Sequence, residues 1–223
     1  MFLRRLTTAA AALRGGATDG GLVAALRAEI AHEISSSAPA APPPFPSEDV
    51  PGFAVVSDAP GAQDVLLRRR ERSEEEVLVS ALLAPLRFVG QDPLPRAALM
   101  KVFVSKPGAA APAPVLHFDC RTVSVAEAEE RDGDAAADYA IDAVRYHSSP
   151  GDGGEGKYEG PQFRDLDRQL QAGLREYLVA RGVNASLAGT ILQHLVQKER
   201  AQYVNWLKTL EETLAKKSSN QSS

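Results

Sequence analysis

The sequence has one cysteine, Cys120, in 223 residues. A lone thiol forms no internal disulfide and no multi-cysteine metal site, which suits a reducing compartment. Long apolar runs are also lacking. No stretch of about 18 consecutive apolar residues occurs, so no membrane span is expected. The four histidines, His32, His117, His147 and His194, fall on different expected elements, none at metal-ligand spacing from Cys120 or from another histidine. His117-Phe118-Asp119-Cys120 sets a base, an acid and a nucleophile side by side. On a strand, however, His117 and Asp119 share one face and Cys120 points to the other. A half-buried strand is the expectation there, not a nucleophilic centre. No catalytic constellation, metal site or cofactor site is expected, and the chain reads as non-enzymatic.

Two segments approach a ligand site and miss it. Gly151-Asp-Gly-Gly-Glu-Gly156-Lys157-Tyr158 fits G-x-x-x-x-G-K, the loop whose backbone N–H groups cradle phosphates. Tyr158 stands where a Ser or Thr should reach Mg²⁺, and Asp152 and Glu155 add negative charge inside the loop. Pro161 delays the following helix, so no helix N-terminus abuts it. A strand-to-helix connection is expected. Further upstream, Glu127, Glu129, Glu130, Asp132, Asp134 and Asp138 crowd one segment in which Arg131 is the cation. The spacing of Asp132, Asp134 and Asp138 does not match a calcium-binding EF-hand loop. The segment reads as a solvated loop or, functionally, as an acidic contact for basic partners. Arg68, Arg69, Arg70 and Arg72 form the opposite cluster, with Glu71, Glu74, Glu75 and Glu76 at once beside them. Ion pairing across a hairpin is expected, with RNA phosphate contact the less favoured alternative.

The chain carries 25 Lys and Arg against 29 Asp and Glu, a net charge of −4. Its first eighteen residues, MFLRRLTTAAAALRGGAT, hold Arg4, Arg5 and Arg14 and no acid. Phe2, Leu3, Leu6, Ala10 and Leu13 can share a helical face, so 1–19 has the form of an organelle transit peptide, mitochondrial by its clustered arginines. Without it, 22 basic residues face 28 acidic ones. That acidic body argues against nonspecific binding to nucleic-acid phosphates.

Residues 20–217 read as one domain, followed by a disordered tail at 218–223. Leu22–Ile34 is an amphipathic helix with Leu22, Leu26, Ile30 and Ile34 at i, i+4 spacing. Residues 35–51, rich in Pro and Ala, read as a flexible extended linker. Strand periodicity then appears at Phe53–Ser57, Asp64–Arg70, Glu75–Leu83, Ala98–Lys106, Pro114–Val123 and Asp138–Tyr146. No helical pattern lies between these strands, which favours an antiparallel sheet in an α+β fold.

Two helices end the chain. Gly160-Pro161 opens the first, Phe163, Leu166, Leu170, Leu174, Tyr177 and Leu178 form its stripe, and Arg181-Gly182 stops it. Asn184 caps the second. Leu187, Ile191, Leu195, Tyr203, Leu207, Leu210 and Leu214 form one stripe, and Leu192, Val196, Ala201, Val204 and Trp206 broaden it. With no Gly or Pro from Thr190 to Lys217, this helix is expected to run roughly 45–50 Å, too long and too broadly apolar for one neighbour.

YEGPQF, LDRQLQAGLREYLVARGV and KERAQYVNWLKTL, in this order, resemble the C-terminal signature of the mitochondrial glycoprotein family. These are acidic proteins of the mitochondrial matrix. The resemblance implies a twisted antiparallel sheet of about seven strands, flanked by one N-terminal and two C-terminal helices and assembled as a ring-shaped homotrimer. It also implies an adaptor or chaperone-like role in mitochondrial translation, ribosome or respiratory-complex assembly, with oxidative phosphorylation as the wider process. The implied partners are the chain itself and ribosomal or respiratory-chain proteins. An RNA-binding or splicing cofactor is the alternative. The resemblance also implies an acidic loop near Glu127–Asp138, and the segment here is shorter than in the mammalian member, a departure from a strongly charged ring face. Leu26, Ile30, Tyr177, Leu195, Tyr203, Trp206, Leu207 and Leu210 are assigned to helix packing and the oligomer interface.

Overall fold

The computed structural model describes residues 19–36, 41–70, 75–105, 114–122, 139–148 and 158–219. The expected transit peptide lies outside these residues except for Asp19. So do the hairpin tip at Arg72, the acidic segment at 127–138, most of the glycine loop at 151–157 and the last four residues.

Strict alternation builds the sheet. In β3 (Glu76–Leu83), Val77, Val79 and Ala81 are buried. In β6 (Ala98–Ser105), Ala98, Met100, Val102 and Val104 are buried, while Lys101 and Phe103 face the other way. Each strand thus turns one apolar row to the core. β1 (Ala54–Ser57), β2 (Asp64–Arg70), β3, β6, β7 (Val115–Thr122) and β8 (Tyr139–His147) form one sheet in the order β1-β2-β3-β6-β7-β8. All its pairings are antiparallel. About seven strands are implied by the resemblance, and six form this sheet among the described residues. β4 (Phe88–Val89) and β5 (Asp92–Pro93) make a separate two-stranded ribbon. Pro85 and Pro95 flank it and Pro93 lies within β5, and proline donates nothing to a ladder.

Helix α1 (Asp19–Ser35) lies against the long C-terminal helix, not on the sheet. It buries Val23 and Leu26, whereas Leu22 and Ile34 of the expected stripe are 48% and 52% exposed. A single narrow neighbour covers only that strip. The described end of the expected linker, 41–51, packs on the core. Phe45 and Val50 are buried with Phe53 in the main core, because apolar burial outweighs the extended bias of its prolines.

Helix α2 (Arg168–Val179) starts later than Pro161 predicts. The Asp167 carboxylate accepts from the N–H of Gln169 (2.9 Å) and of Leu170 (3.4 Å), a stronger start signal than proline. Upstream, Gln162 bridges to Ala143, and a 3-10 turn at Phe163–Asp165 buries Phe163. Leu170, expected in the apolar stripe, is 50% exposed. The stop behaves as expected. Gly182 has φ +81°, and the N–H of Val183 donates to the Leu178 carbonyl at 3.0 Å. A side chain at Gly182 would also collide with the Arg69 guanidinium.

Asn184 caps helix α3 (Ala185–Ser219), its Oδ1 accepting from the Leu187 N–H at 3.0 Å. Thirty-five residues make this helix about 52 Å long. Its first half, through Leu187, Ile191 and Leu195, closes the core over β3, β6 and β7. Its second half lies outside that core and packs on α1. There Ala201, Val204 and Leu207 are buried, as are Val23 and Leu26 of α1, but none of the five joins the main core. No helix among the described residues is long and apolar enough to cross a membrane.

Candidate functional site

The α1–α3 seam gathers most of the residues expected at an interface. Leu26 and Leu207 are buried, and Ile30, Tyr203 and Leu210 are half-buried. Two polar contacts stitch its rim: Arg27 Nε donates to Glu211 at 2.7 Å, and the Tyr203 hydroxyl donates to Glu29 at 3.1 Å. Tyr177 and Leu195 lie elsewhere, in the sheet-side core, where Tyr177 stacks on Phe118 at 6.2 Å between ring centres. Trp206 stands on the surface at 56% exposure, stacked on Tyr203. A broad stripe is therefore divided three ways: core, seam and open surface.

The basic cluster is largely neutralised. Arg68 and Arg70 lie 3.8 and 3.2 Å from Glu76, as an ion-paired hairpin predicts. Glu75 departs from that expectation. It pairs with Arg181 (Nη2 to Oε2, 2.9 Å), whose guanidinium lies 3.4 Å over the Tyr177 ring and also donates to the Tyr177 carbonyl. Arg69 packs beside Gly52 and Gly182. These commitments leave the RNA reading of the cluster little to work with. Arg72 and the acidic residues Glu127, Glu129, Glu130, Asp132, Asp134 and Asp138 lie outside the described residues.

A buried polar network joins the start of the sheet to α3. Lys198, 1% exposed, donates from Nζ to Asp58 (2.6 Å) and to the Asp64 carbonyl (2.9 Å). His194 Nε2 lies 3.1 Å from the same carboxylate, and Phe45 meets the imidazole edge-on. Burial raises the Asp58 carboxyl, but the hydrogen bonds and charges of Lys198 and His194 outweigh it and hold the group below its ordinary value. Sequence reasoning missed this network. Its signal was present: His194 and Lys198 sit at i, i+4 on the face that carries Ile191 and Leu195.

On the other face of the sheet, His117 Nδ1 is 3.4 Å from His147 Nε2, and Phe103 stacks on the His117 ring. His117 Nε2 lies 3.1 Å from Asp119, which is also bonded to Arg145, and Arg145 donates to Glu159 at 2.9 Å. Cys120 lies on the opposite face, in the core, as the strand geometry predicts. Burial, then Asp142, pushes its thiol far up. A thiol kept protonated on the far side of the sheet is no nucleophile for His117.

Burial, then Lys101, Arg145 and His147, lower the His117 imidazole from 6.5 to about 4. Between those values the unfolded chain binds a proton that the folded chain refuses, so stability falls as pH drops through that window. The denaturation midpoint is expected to fall from pH 7 to pH 5, and His117→Phe should flatten part of that slope. Denaturant titrations at the two pH values measure it.

Residues 70–214 match the family described as mitochondrial glycoprotein. A mitochondrial protein of Arabidopsis thaliana is 37% identical over 75 residues, 33% of this chain and 30% of that protein. The mitochondrial acidic protein mam33 of Schizosaccharomyces pombe is 36% identical over 58 residues, 26% of this chain and 22% of that protein. The chain thus matches less than a third of the length of these two relatives. The crystal structure of the Trypanosoma brucei p22 protein superposes with a TM-score of 0.62 at 22% identity, over 88% of this chain and 98% of that one, a likeness of fold.

Proposed function

Because this chain belongs to the mitochondrial glycoprotein family of acidic mitochondrial proteins, we propose that it is a non-enzymatic, oligomeric adaptor of the mitochondrial matrix. It supports mitochondrial translation, ribosome or respiratory-complex assembly by chaperone-like contact with basic partners. The observation that carries this reading is the outer half of α3. It lies outside the main core and shows Trp206, 56% exposed, beside the half-buried Tyr203 and Leu210. Apolar surface on a rigid helix is what a subunit interface covers. The acidic residues Glu127–Asp138 connect β7 to β8, so each copy in an assembly presents one such segment. Three weak contacts on one particle gain avidity through effective concentration without any new contact.

Sedimentation velocity of the processed chain tests the assembly. Three times the monomer mass is expected, with Trp206→Glu and Leu210→Glu shifting it towards one. A monomer at every concentration contradicts the reading.

A further inference from the structure

An open cleft of ≈ 940 Å³ lies between β8, the 3-10 turn at Phe163–Asp165 and helix α2. It is basic on an acidic protein. Five of its lining residues are arginines, against the acids Asp119 and Asp142. Arg145 is bonded to Asp119 and Arg121 pairs with Asp142 at 3.2 Å, so those charges cancel. Arg164, Arg168 and Arg175 are left. Arg164 has a 3.7 Å contact with its neighbour Asp165, and its side chain is 80% exposed. Arg168 and Arg175 have no carboxylate partner among the described residues.

The three arginines share one frame. Arg168, Gln171 and Arg175 recur at i, i+3 and i+7, and all three line the cleft from one side of α2. The two arginines stand about 10 Å apart along the helix axis. Gln171 Nε2 donates to the carbonyls of Arg164 (3.3 Å) and Leu166 (2.9 Å), which ties the turn carrying Arg164 to the helix. The Arg175 guanidinium is held 5.6 Å over the Phe163 ring. Arg168 is the first residue of α2. A cation there opposes the helix dipole, so its charge does not serve the helix, whereas an anion at that end is favoured.

We propose that this cleft binds a polyphosphate chain, the chemistry shared by inorganic polyphosphate and the tail of a nucleoside triphosphate. The phosphates bridge Arg164, Arg168 and Arg175, each guanidinium giving paired N–H donors to phosphate oxygens. A chain of three phosphates offers each arginine its own oxygens, which a single phosphate does not. A terminal phosphate also presents three acceptor oxygens against the two of a carboxylate. The base of a nucleotide is not read. The one aromatic in the lining, Phe163, is 3% exposed and gives a base no stacking platform. A single-stranded RNA fits less well, because Asp119 and Asp142 oppose a longer row of phosphates. This site is separate from the acidic contact proposed above, so either can fail alone.

Isothermal titration calorimetry of the full chain tests it, at low salt and without divalent cations. Inorganic tripolyphosphate and ATP are expected to bind equally, and orthophosphate about tenfold or more weakly. Binding should weaken as salt is raised. The Arg168→Ala, Arg175→Ala double variant should lose about tenfold or more in affinity for tripolyphosphate. Arg164→Glu, at an exposed side chain that leaves the Phe163 contact intact, should lose as much. Arg4, Arg5 and Arg14 are present in every variant, so the losses report the cleft. The proposal is overturned if tripolyphosphate does not bind, if both variants bind it as the wild-type chain does, or if orthophosphate binds as tightly. ATP binding tenfold more tightly than tripolyphosphate would overturn recognition by phosphate alone. Tighter binding of a uridine decamer at the same arginines would overturn it in favour of RNA.

Discussion

Replacing Lys198 by methionine is expected to cost about 3–5 kcal/mol of folding stability, the largest single loss in the molecule. The ammonium is 1% exposed, holds Asp58 at 2.6 Å and ties the Asp64 carbonyl to α3. Methionine fills nearly the same volume, so lost packing contributes little. What remains is a carboxylate shielded from water with the His194 ring as its side-chain partner among the described residues, and a carbonyl without its bond. The sign of the coupling follows. Asp58→Asn alone also destabilises, yet the double variant should be much less unstable than the two losses added together, because neither charge is then left alone. Urea unfolding of the four proteins measures this. A Lys198→Met loss below about 1 kcal/mol would mean that the pair is neutral to the fold.

Truncating Leu207 to alanine should have the second-largest effect, about 2–5 kcal/mol, and should act locally. Leu207 is 3% exposed, but it belongs to the α1–α3 seam and not to the main core. An isolated helix of seventeen residues is marginal in water, so α1 depends on that seam. Hydrogen exchange should show amides of 20–35 losing protection while β3, β6 and β7 keep theirs. Uniform loss across the sheet would show that seam and core unfold as one unit. The oligomer surface proposed above borders this seam, so the same substitution should also weaken assembly.

These two residues show what was legible in the chain. Alternation in Glu76–Leu83 and Ala98–Ser105 gave the sheet to within a residue or two, because one face is fully buried and a slip would expose it. Asn184 and Gly182 gave the break between the helices, because cap geometry is local. The resemblance carried by the last two helices gave the family, which the match over 70–214 establishes. Long-range pairing was not legible. Nothing local announces that Lys198 meets Asp58, 140 residues away, or that Glu75 turns from its neighbouring arginines to Arg181. The start of α2 was misplaced because Pro161 and Asp167 are both start signals, and only the strand pairing of Gln162 with Ala143 decides between them. The division of the α3 stripe into core, seam and surface was hidden for the same reason: periodicity reports that a face is apolar, not what covers it.

Affinity capture from mitochondria most directly tests the central claim, that an acidic oligomer holds basic partners by its Glu127–Asp138 segment. The processed chain is compared with a variant in which Glu127, Glu129, Glu130, Asp132, Asp134 and Asp138 are all changed to their amides. The account predicts that ribosomal or respiratory-chain proteins are retained by the wild-type chain, released by salt, and lost from the amide variant while its oligomeric mass is unchanged. Retention of the same proteins by both chains, or of RNA alone in a manner abolished by reversing Arg68–Arg72, would contradict it.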